Sequence, residues 1–532
     1  MVLINLALAL VLFFVLKKNY FLLALYAIGL GAVFYHLPHL QTIYYFVLPH
    51  ALIALLAHVL TMQEDVRKKE GAFNTIIKTT SGEKLLKSID RGVSIFGSAG
   101  SGKTLSVING FLEHFKKFNF SGVVYDYKNG ELSELLLNHF GDDRVRVIAP
   151  HRPEISSRVN FINPKMLRDE LAINEVAKVI LLNLINVNDK SDFFLQTAEA
   201  LLSGVILKFK LEHPEYCTFP HICAFLTTND FGGYRTIKYI ENGVEKNQLE
   251  FSEFKQLEDF LTENKRVSIQ ASSFIKGLAS ERQTASVIST LLNALRQFSN
   301  PRFFWVFSGN DFTFNINHED NRLIVSVLND PDAEMSVTPL VASTIHSITK
   351  AMMQRDKDPA FFIMDEGATI KLLNMARIPA TMRSFGICTI YATQDITQGI
   401  VQYGQQQFRQ ILANLSIQIF GKTNDPETAN FYEKYIELYE KENISRTKDT
   451  GTIFESTKSI NVSVREERKI RANEFMKLKQ GEFVKITEGE SEKVTFKLGD
   501  ITAKPMPRYA ISDSEIRLNF ERIIKEANSL TK

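Results

Sequence analysis

The segment that most constrains the fold of this chain is a glycine-rich loop that ends in Lys-Thr. It follows the apolar run at residues 92–96 and reads Gly97-Ser98-Ala99-Gly100-Ser101-Gly102-Lys103-Thr104. Such a loop turns tightly and directs its N–H groups at phosphates, while Lys103 supplies a positive charge and Thr104 a hydroxyl for Mg²⁺. Because the residues that follow have the apolar spacing of a helix, a chance glycine-rich turn is the weaker alternative. All eight residues are therefore predicted to bind the phosphates of ATP, together with Mg²⁺.

Length and composition indicate a large chain with more than one domain. The 532 residues exceed one ordinary core, and 45% of them are apolar. The formal net charge of +2 gives no global basic surface, so any contact with nucleic acid must be local. The three cysteines, Cys217, Cys223 and Cys388, fit buried thiols in a reducing compartment better than a disulfide framework or a zinc site.

The amino-terminal part of the chain has the composition of membrane spans. Three apolar stretches, at residues 2–16, 21–37 and 43–60, are each ~15–18 residues long, near the lower limit for crossing a bilayer. They predict two or three transmembrane helices within residues 1–62, with a cleaved signal peptide as the alternative for the first stretch. The basic groups at residues 17–18 and 67–69 orient the chain by the positive-inside rule. We therefore expect a multi-pass protein of the inner (cytoplasmic) membrane with its remaining residues in the cytoplasm.

After the glycine-rich loop, short β-branched and aromatic runs alternate with helical patterns, which predicts an α/β fold with a parallel sheet. Between residues 165 and 300 long amphipathic stretches dominate and predict an inserted all-α domain of roughly 135 residues; an extension of the core's own helices is the alternative. The predicted strands are residues 122–125, 144–148, 322–328, 361–364, 388–392 and 416–420, followed by a hairpin of 483–486 with 493–496.

Polar side chains follow two of the predicted strands. The apolar run 361–364 leads into Asp365 and Glu366, which predicts one carboxylate that holds Mg²⁺ (Asp365) and one that polarises the attacking water (Glu366). Gln394 follows the strand at 388–392, where its amide is suited to sense the γ-phosphate or to position that water. As an alternative, the two carboxylates at the strand end could cap the following helix. Gln394 could likewise be a residue that only forms a turn.

Taken in chain order, these segments resemble those of the coupling proteins of conjugative type IV secretion, the TraG/TraD-like class with an FtsK/HerA-type motor ATPase. The resemblance covers nearly the whole chain after residue 80 and departs from the family pattern at Asn129, which adds a residue to the run Asp-x-Lys-Gly-Glu. It rests on the apolar amino-terminal stretches, the loop 97–104 and the segments 123–131, 160–164, 281–286, 361–366, 383–387, 391–395, 403–404 and 411–414.

The resemblance implies a RecA-like P-loop NTPase core with an inserted all-α domain and N-terminal transmembrane helices. It also implies a ring, a homo-hexamer, that hydrolyses ATP, contacts single- or double-stranded DNA, and works with a relaxase, accessory relaxosome proteins and components of a type IV secretion channel. Arg383 lies in the family's Arg-Ser-x-Gly segment and is the candidate arginine that reaches a neighbouring subunit's nucleotide, with a solvated salt bridge as the alternative. The expected domains are residues 1–62 (membrane), 63–82 (linker), 83–164 and 301–505 (nucleotide-binding domain), 165–300 (insert) and 506–532 (C-terminal helix).

Several alternatives stay open from sequence alone. The chain could be a double-stranded DNA translocase of the FtsK/HerA type, an ATPase for assembly of a secretion channel, or a receptor that binds ATP without motor work. The Ser/Thr-rich segment 443–463 is expected to be a mobile loop. Residues 511–530 have helical spacing, and this helix is expected to dock on a partner or on the chain's own core.

Overall fold

The computed structural model describes residues 28, 70–184, 192–241, 244–448, 458–499 and 503–531. Apart from Ile28, the predicted membrane spans lie outside these residues. Within the described part of the chain, no helix is both long and apolar enough to cross a membrane. The chain divides into two compact units, residues 1–88 and 89–532.

The described residues of the first unit form a hairpin that the sequence did not predict. Strands β1 (Thr75–Thr79) and β2 (Gly82–Leu86) pair antiparallel, with Thr75 opposite Leu86. The tight turn between them uses Gly82, whose φ of 115° is accessible to glycine at little cost. The hairpin begins within the segment that was expected to be a linker.

The second unit is built on a nine-stranded sheet. Its strand order is β17-β16-β13-β3-β12-β11-β4-β10-β5; the strands from β13 to β5 run parallel, and β16 and β17 add an antiparallel edge. The central strands are buried along their whole length, which explains their continuous apolar sequences. The predicted α/β fold with a mostly parallel sheet is thus confirmed. The strands of this unit are β3 Val93–Phe96, β4 Ser121–Asp126, β5 Val145–Ile148, β6 Gly233–Glu241, β7 Val244–Ser252, β8 Asn317–His318, β9 Asn321–Arg322, β10 Ile324–Leu328, β11 Ala360–Met364, β12 Ile387–Thr393, β13 Ile417–Phe420, β14 Leu438–Lys448, β15 Lys458–Arg468, β16 Glu482–Thr487 and β17 Glu490–Thr495.

Helices connect the strands and cover the sheet. A π-helical turn at Lys103–Ile108 leads directly from the glycine-rich loop into the first α-helix. The three cysteines are buried free thiols, as expected. The α-helices are α1 Asn109–Lys117, α2 Glu131–Phe140, α3 Glu170–Leu184, α4 Asp192–Glu212, α5 Phe219–Thr228, α6 Lys255–Thr262, α7 Lys265–Gln270, α8 Ser272–Gly277, α9 Glu281–Arg296, α10 Pro301–Phe307, α11 Glu334–Met352, α12 Ile378–Arg383, α13 Ile396–Tyr403, α14 Gln405–Ala413, α15 Pro426–Glu433, α16 Ala472–Lys477 and α17 Asp513–Asn528.

The region between β5 and β10 is mainly helical but not all-α. It contains helices α3 to α10 and also the antiparallel hairpin β6–β7, with Gly233 opposite Ser252. The expectation of an all-α insert is therefore wrong at this hairpin. Its apolar side chains, such as Ile240 and Leu249, are exposed. Because neither face of the hairpin is buried, its sequence lacks the regular alternation of apolar and polar residues that indicates a strand. In the sequence, the pair Asn242-Gly243 between these two segments is a turn signal that would have indicated a hairpin.

The segment expected to be a mobile loop at 443–463 is largely a second antiparallel ribbon. Strands β14 and β15 pair along their whole length, with Leu438 opposite Arg468 and Lys448 opposite Lys458. The loop prediction is wrong for these strand residues, while residues 449–457 lie outside the described part of the chain. A polar composition indicated disorder, but a long ladder of backbone hydrogen bonds forms nevertheless.

The carboxyl-terminal helix α17 packs on the chain's own core. Phe520 packs against Phe304 of α10 in a tilted arrangement with ring centroids 4.8 Å apart, and Glu526 accepts a hydrogen bond from His221 of α5 at 3.0 Å. Ile523 is fully buried in this contact. Of the two docking modes that the sequence left open, the structure shows the intramolecular one.

Candidate active site

The glycine-rich loop connects the end of β3 to the helix that starts at Lys103. Gly100 and Gly102 have φ angles of 75° and 95°, in the left-handed region that glycine adopts without strain. A Cβ atom on Gly102 would lie 2.8 Å from Ser106 Oγ and 3.2 Å from Gly481 N, so this position also lacks room for a side chain. The loop is held at its start by Ser98 N, which donates to Lys422 O at 2.7 Å. Local conformation and packing thus both require the sequence pattern seen here.

Lys103 is buried at the end of this loop. Its ammonium group donates a hydrogen bond to Gly97 O and lies 3.5 Å from Glu366 Oε1. Burial lowers the pKa of Lys103, against the opposing effect of Glu366. Ser101 and Thr104 are buried beside it, and Ser101 Oγ has no hydrogen-bond partner among the described residues.

Asp365 and Glu366 lie directly after the central strand β11, and only 1% of each residue is exposed. Asp365 Oδ1 and both carboxylate oxygens of Glu366 accept no hydrogen bond from the described residues. Such buried, unsatisfied carboxylate oxygens are costly unless a cation or another donor binds them. Burial raises the pKa of Asp365 to about 7, with Lys128 opposing the shift and Glu366 adding to it. The pair is therefore suited to bind a cation.

The backbone at Glu366 adopts a left-handed conformation, with φ of 59°. Thr369 Oγ1 donates to Glu366 O at 2.8 Å and lies 2.7 Å from the hydroxyl of Tyr125, which also accepts from Asn329. Asn329 in turn donates to Thr338 of α11 at 2.9 Å. This network holds the turn that carries Glu366, and such strained positions concentrate at functional sites.

Lys128 is a site residue that the sequence did not place beside the carboxylates. Its Nζ lies 3.9 Å from Asp365 Oδ2 and 3.8 Å from Glu131 Oε2. The additional Asn129 is accommodated by left-handed backbone at Asn129 and Gly130, with φ of 54° and 114°. Asn129 Oδ1 lies within hydrogen-bond distance of His151 Nε2 at 3.2 Å, which secures the loop. The pairing of β4 with β11 brings Lys128 close to Asp365. Because this contact depends on strand pairing, no local sequence pattern indicated it.

Gln394 and Arg383 differ in their relation to this centre. Gln394 follows β12 at the same sheet edge as the loop, because the preceding Thr393 accepts from Gly97 N through its carbonyl at 3.3 Å. Arg383 lies at the end of α12 with 51% of its side chain exposed, and its Nε donates to Asp90 Oδ2 at 3.2 Å. Within the described residues it makes no ion pair with Asp365 or Glu366. A single subunit thus brings Lys103 within 3.5 Å of Glu366 and places Gln394 at the same sheet edge, whereas Arg383 pairs with Asp90.

Comparison with known proteins identifies the family of the chain. Residues 58–497 match the family of type IV secretory system conjugative DNA transfer proteins. The chain belongs to this family. The resemblance read from the motif order is thereby confirmed, and the family match spans the loop, both carboxylates, Arg383 and Gln394. No curated protein sequence matches the chain.

Several solved structures share the fold. The unbound bacterial conjugative coupling protein TrwBdeltaN70 has a TM-score of 0.63 and 15% identity, covering 83% of this chain and 92% of that chain. TrwB in complex with ADP and Mg²⁺ has a TM-score of 0.59 and 14% identity, covering 79% and 88%. VirB4 of Thermoanaerobacter pseudethanolicus has a TM-score of 0.50 and 11% identity, covering 81% and 98%. At these identities the similarity concerns the fold.

Proposed function

We propose that this family member is a membrane-anchored ATPase coupling protein that recruits relaxase-bound DNA to a type IV secretion channel and drives its conjugative transfer. The observation that carries the proposal is the proximity of the phosphate-binding loop, which follows β3, to two buried, unsatisfied carboxylates at the end of β11, on the far side of β12. Membership of the conjugative DNA transfer family gives this site its biological context.

The residues present fit ATP and Mg²⁺. The backbone N–H groups of Gly97, Ser98 and Ser101 already donate within the protein, so those of Ala99, Gly100 and Gly102 remain for the phosphates. Lys103 supplies a charge, and Ser101 Oγ is a further free donor. Thr104 and Asp365 would hold Mg²⁺, which neutralises charge on the transferring phosphoryl group when bound. The solved structure of TrwB with ADP and Mg²⁺ shows that a protein of this fold binds both.

Glu366 is the group that we assign to proton removal from the attacking water. Thr369 fixes the turn that carries Glu366 by donating to its main-chain carbonyl, whereas the carboxylate lies 3.5 Å from Lys103 Nζ. This contact with Lys103 must break when Lys103 turns to a phosphate. Glu366 is then free to accept a proton, as a general base requires. Gln394, on the adjacent strand end, would orient the same water.

Arg383 is proposed to act on the nucleotide of a neighbouring subunit in a homo-hexameric ring. Its half-exposed position at the end of α12 supports a role outside its own site, and its ion pair with Asp90 is weak enough to exchange. The membrane anchor within residues 1–62, the contacts with DNA, relaxase and accessory relaxosome proteins, and the domain limits given above belong to the same proposal.

The test is ATP hydrolysis by the full chain in lipid nanodiscs, with and without DNA. Lys103→Ala should abolish nucleotide binding, whereas Glu366→Gln should keep nucleotide binding and lower turnover by about 10²–10⁴-fold, the usual contribution of a general base. Glu319→Gln, a change of an exposed glutamate outside the site, is the matched control and should turn over normally. Tight ATP binding without turnover in the wild type, with or without DNA, would instead indicate a recruitment receptor.

A further inference from the structure

A second cavity, separate from the nucleotide site, lies between α3, α11 and the segment 310–315. Its volume is about 510 Å³, and none of its lining residues belongs to the glycine-rich loop or to the turn of Asp365 and Glu366. The deepest side chains, Phe161, Val176 and Phe314, are almost completely buried and apolar. The volume and the apolar floor of the cavity are typical of a small-molecule site, which is concave, largely apolar and lined by a few polar groups.

One wall of the cavity carries a charged cluster whose members satisfy one another. The carboxylate of Glu175 on α3 lies 2.8 Å from Lys350 Nζ and 3.5 Å from His346 Nε2, both on α11. The hydrogen bond with His346 and the charge of Lys350 outweigh the effect of burial, which raises the pKa of Glu175, and lower this pKa to about 2. The charge of Lys350 is therefore already compensated by Glu175.

The rim has two cations without such a partner. Lys165 and Arg168 line the mouth, are exposed, and form no ion pair with a carboxylate in the described part of the chain. The rim also carries one carboxylate, Asp169, which forms no ion pair with either cation in the described residues and accepts a hydrogen bond from Ala172 N at 2.9 Å. Two cations and one carboxylate give the rim a net positive charge, and an apolar floor below such a rim favours a ligand with a hydrophobic body and an anionic group.

We propose that this cavity binds a small amphipathic organic anion. Its ring or aliphatic body would pack on Phe161, Val176 and Phe314, and its carboxylate or sulfonate would pair with Lys165 and Arg168. Charge-assisted hydrogen bonds to such groups are stronger than neutral ones, and arginine binds carboxylates in a bidentate manner. The volume of about 510 Å³ suits a small molecule and is too small for a folded partner.

The probe pair is 2-naphthoate and 2-naphthamide, which share one aromatic body and differ in charge. Isothermal titration calorimetry with the full chain in nanodiscs should show the acid binding at least about tenfold tighter than the amide. Lys165→Glu with Arg168→Glu should remove this preference and leave amide binding unchanged. The control pair Lys276→Glu with Arg517→Glu makes the same charge change at exposed residues outside the cavity and should keep the preference.

A second variant tests the position of the site. Ala172→Trp fills the cavity and should abolish binding of both probes, whereas Leu171→Trp, at the neighbouring residue that is 72% exposed and does not line the cavity, should bind both normally. Equal affinity for acid and amide in the wild type would overturn the proposal. So would full retention of acid binding in the charge-reversed rim variant, which is a surface change that leaves the core intact.

Discussion

At the scale of single residues, the site is a balance of three buried carboxylates against two lysines. Asp126 is fully engaged, because its Oδ2 accepts from Ser133 N and Oγ at 2.8 and 2.7 Å at the start of α2. Asp365 and Glu366 have open oxygens instead, each with a lysine at a distance of 3.5–3.9 Å. Asp126 is thus a structural cap, and the other two carboxylates are available to a cation and a water.

Lys128 competes with a metal ion for Asp365. Because its Nζ lies 3.9 Å from Asp365 Oδ2, Lys128→Met should lower the Mg²⁺ concentration needed for half-maximal binding of a fluorescent ATP analogue by about two- to tenfold. Glu131→Gln, which removes the other carboxylate partner of Lys128, should leave that concentration unchanged or raise it slightly. A higher Mg²⁺ requirement in Lys128→Met would contradict this role.

Arg383 and Asp90 provide a second test at residue scale. If Arg383 acts on a neighbour's nucleotide, Arg383→Ala should lower ATP turnover by about 10³-fold or more, whereas Asp90→Asn breaks the same ion pair and should keep turnover. A surface ion pair contributes at most about 1 kcal/mol, so its loss alone cannot account for such a fall. If both substitutions have equal and small effects on the rate of phosphate release, Arg383 only forms a surface salt bridge and does not act on a neighbour's nucleotide.

Among the helices and strands, the burial of a strand determined whether the sequence predicted it. The core strand β11 is an uninterrupted apolar run because both faces of the sheet are covered, and the polar residues after it mark the sheet edge. The ribbons β6–β7 and β14–β15 were missed because exposed or polar strands leave no such pattern. The contact of Lys128 with Asp365 depends on the alignment of β4 with β11, seen in Asp365 N donating to Tyr125 O at 3.0 Å, and no local pattern encodes it.

The docking of α17 on the core can be tested by one buried and one exposed side chain. Ile523 is fully buried on this helix, so Ile523→Ala should lower the free energy of unfolding by about 2–5 kcal/mol and detach the helix. Leu518→Ala changes a side chain of the same helix that is 64% exposed, and it should lower the free energy of unfolding much less. Limited proteolysis between residues 503 and 512 measures the difference; equal cleavage of both variants and the wild type would show that the helix does not depend on this contact.

At the scale of the whole molecule, the order of the motifs carries the identification. The loop alone fits many nucleotide-binding proteins, but the loop, the carboxylates after β11 and the glutamine after β12 all lie within residues 58–497, which match the conjugative DNA transfer family. The proposed ring and its proposed contacts with DNA would arise between molecules, so neither the sequence nor the fold of one chain specifies them. Testing that proposal therefore requires the complete transfer system.

The most direct measurement is plasmid transfer between cells that carry the wild-type chain or Glu366→Gln. We expect Glu366→Gln to lower transfer by about 10²-fold or more at equal protein level in the membrane fraction, because ATP is bound but not hydrolysed. Glu319→Gln should transfer at the wild-type frequency. Unchanged transfer with Glu366→Gln would show that hydrolysis at this site does not drive DNA transfer.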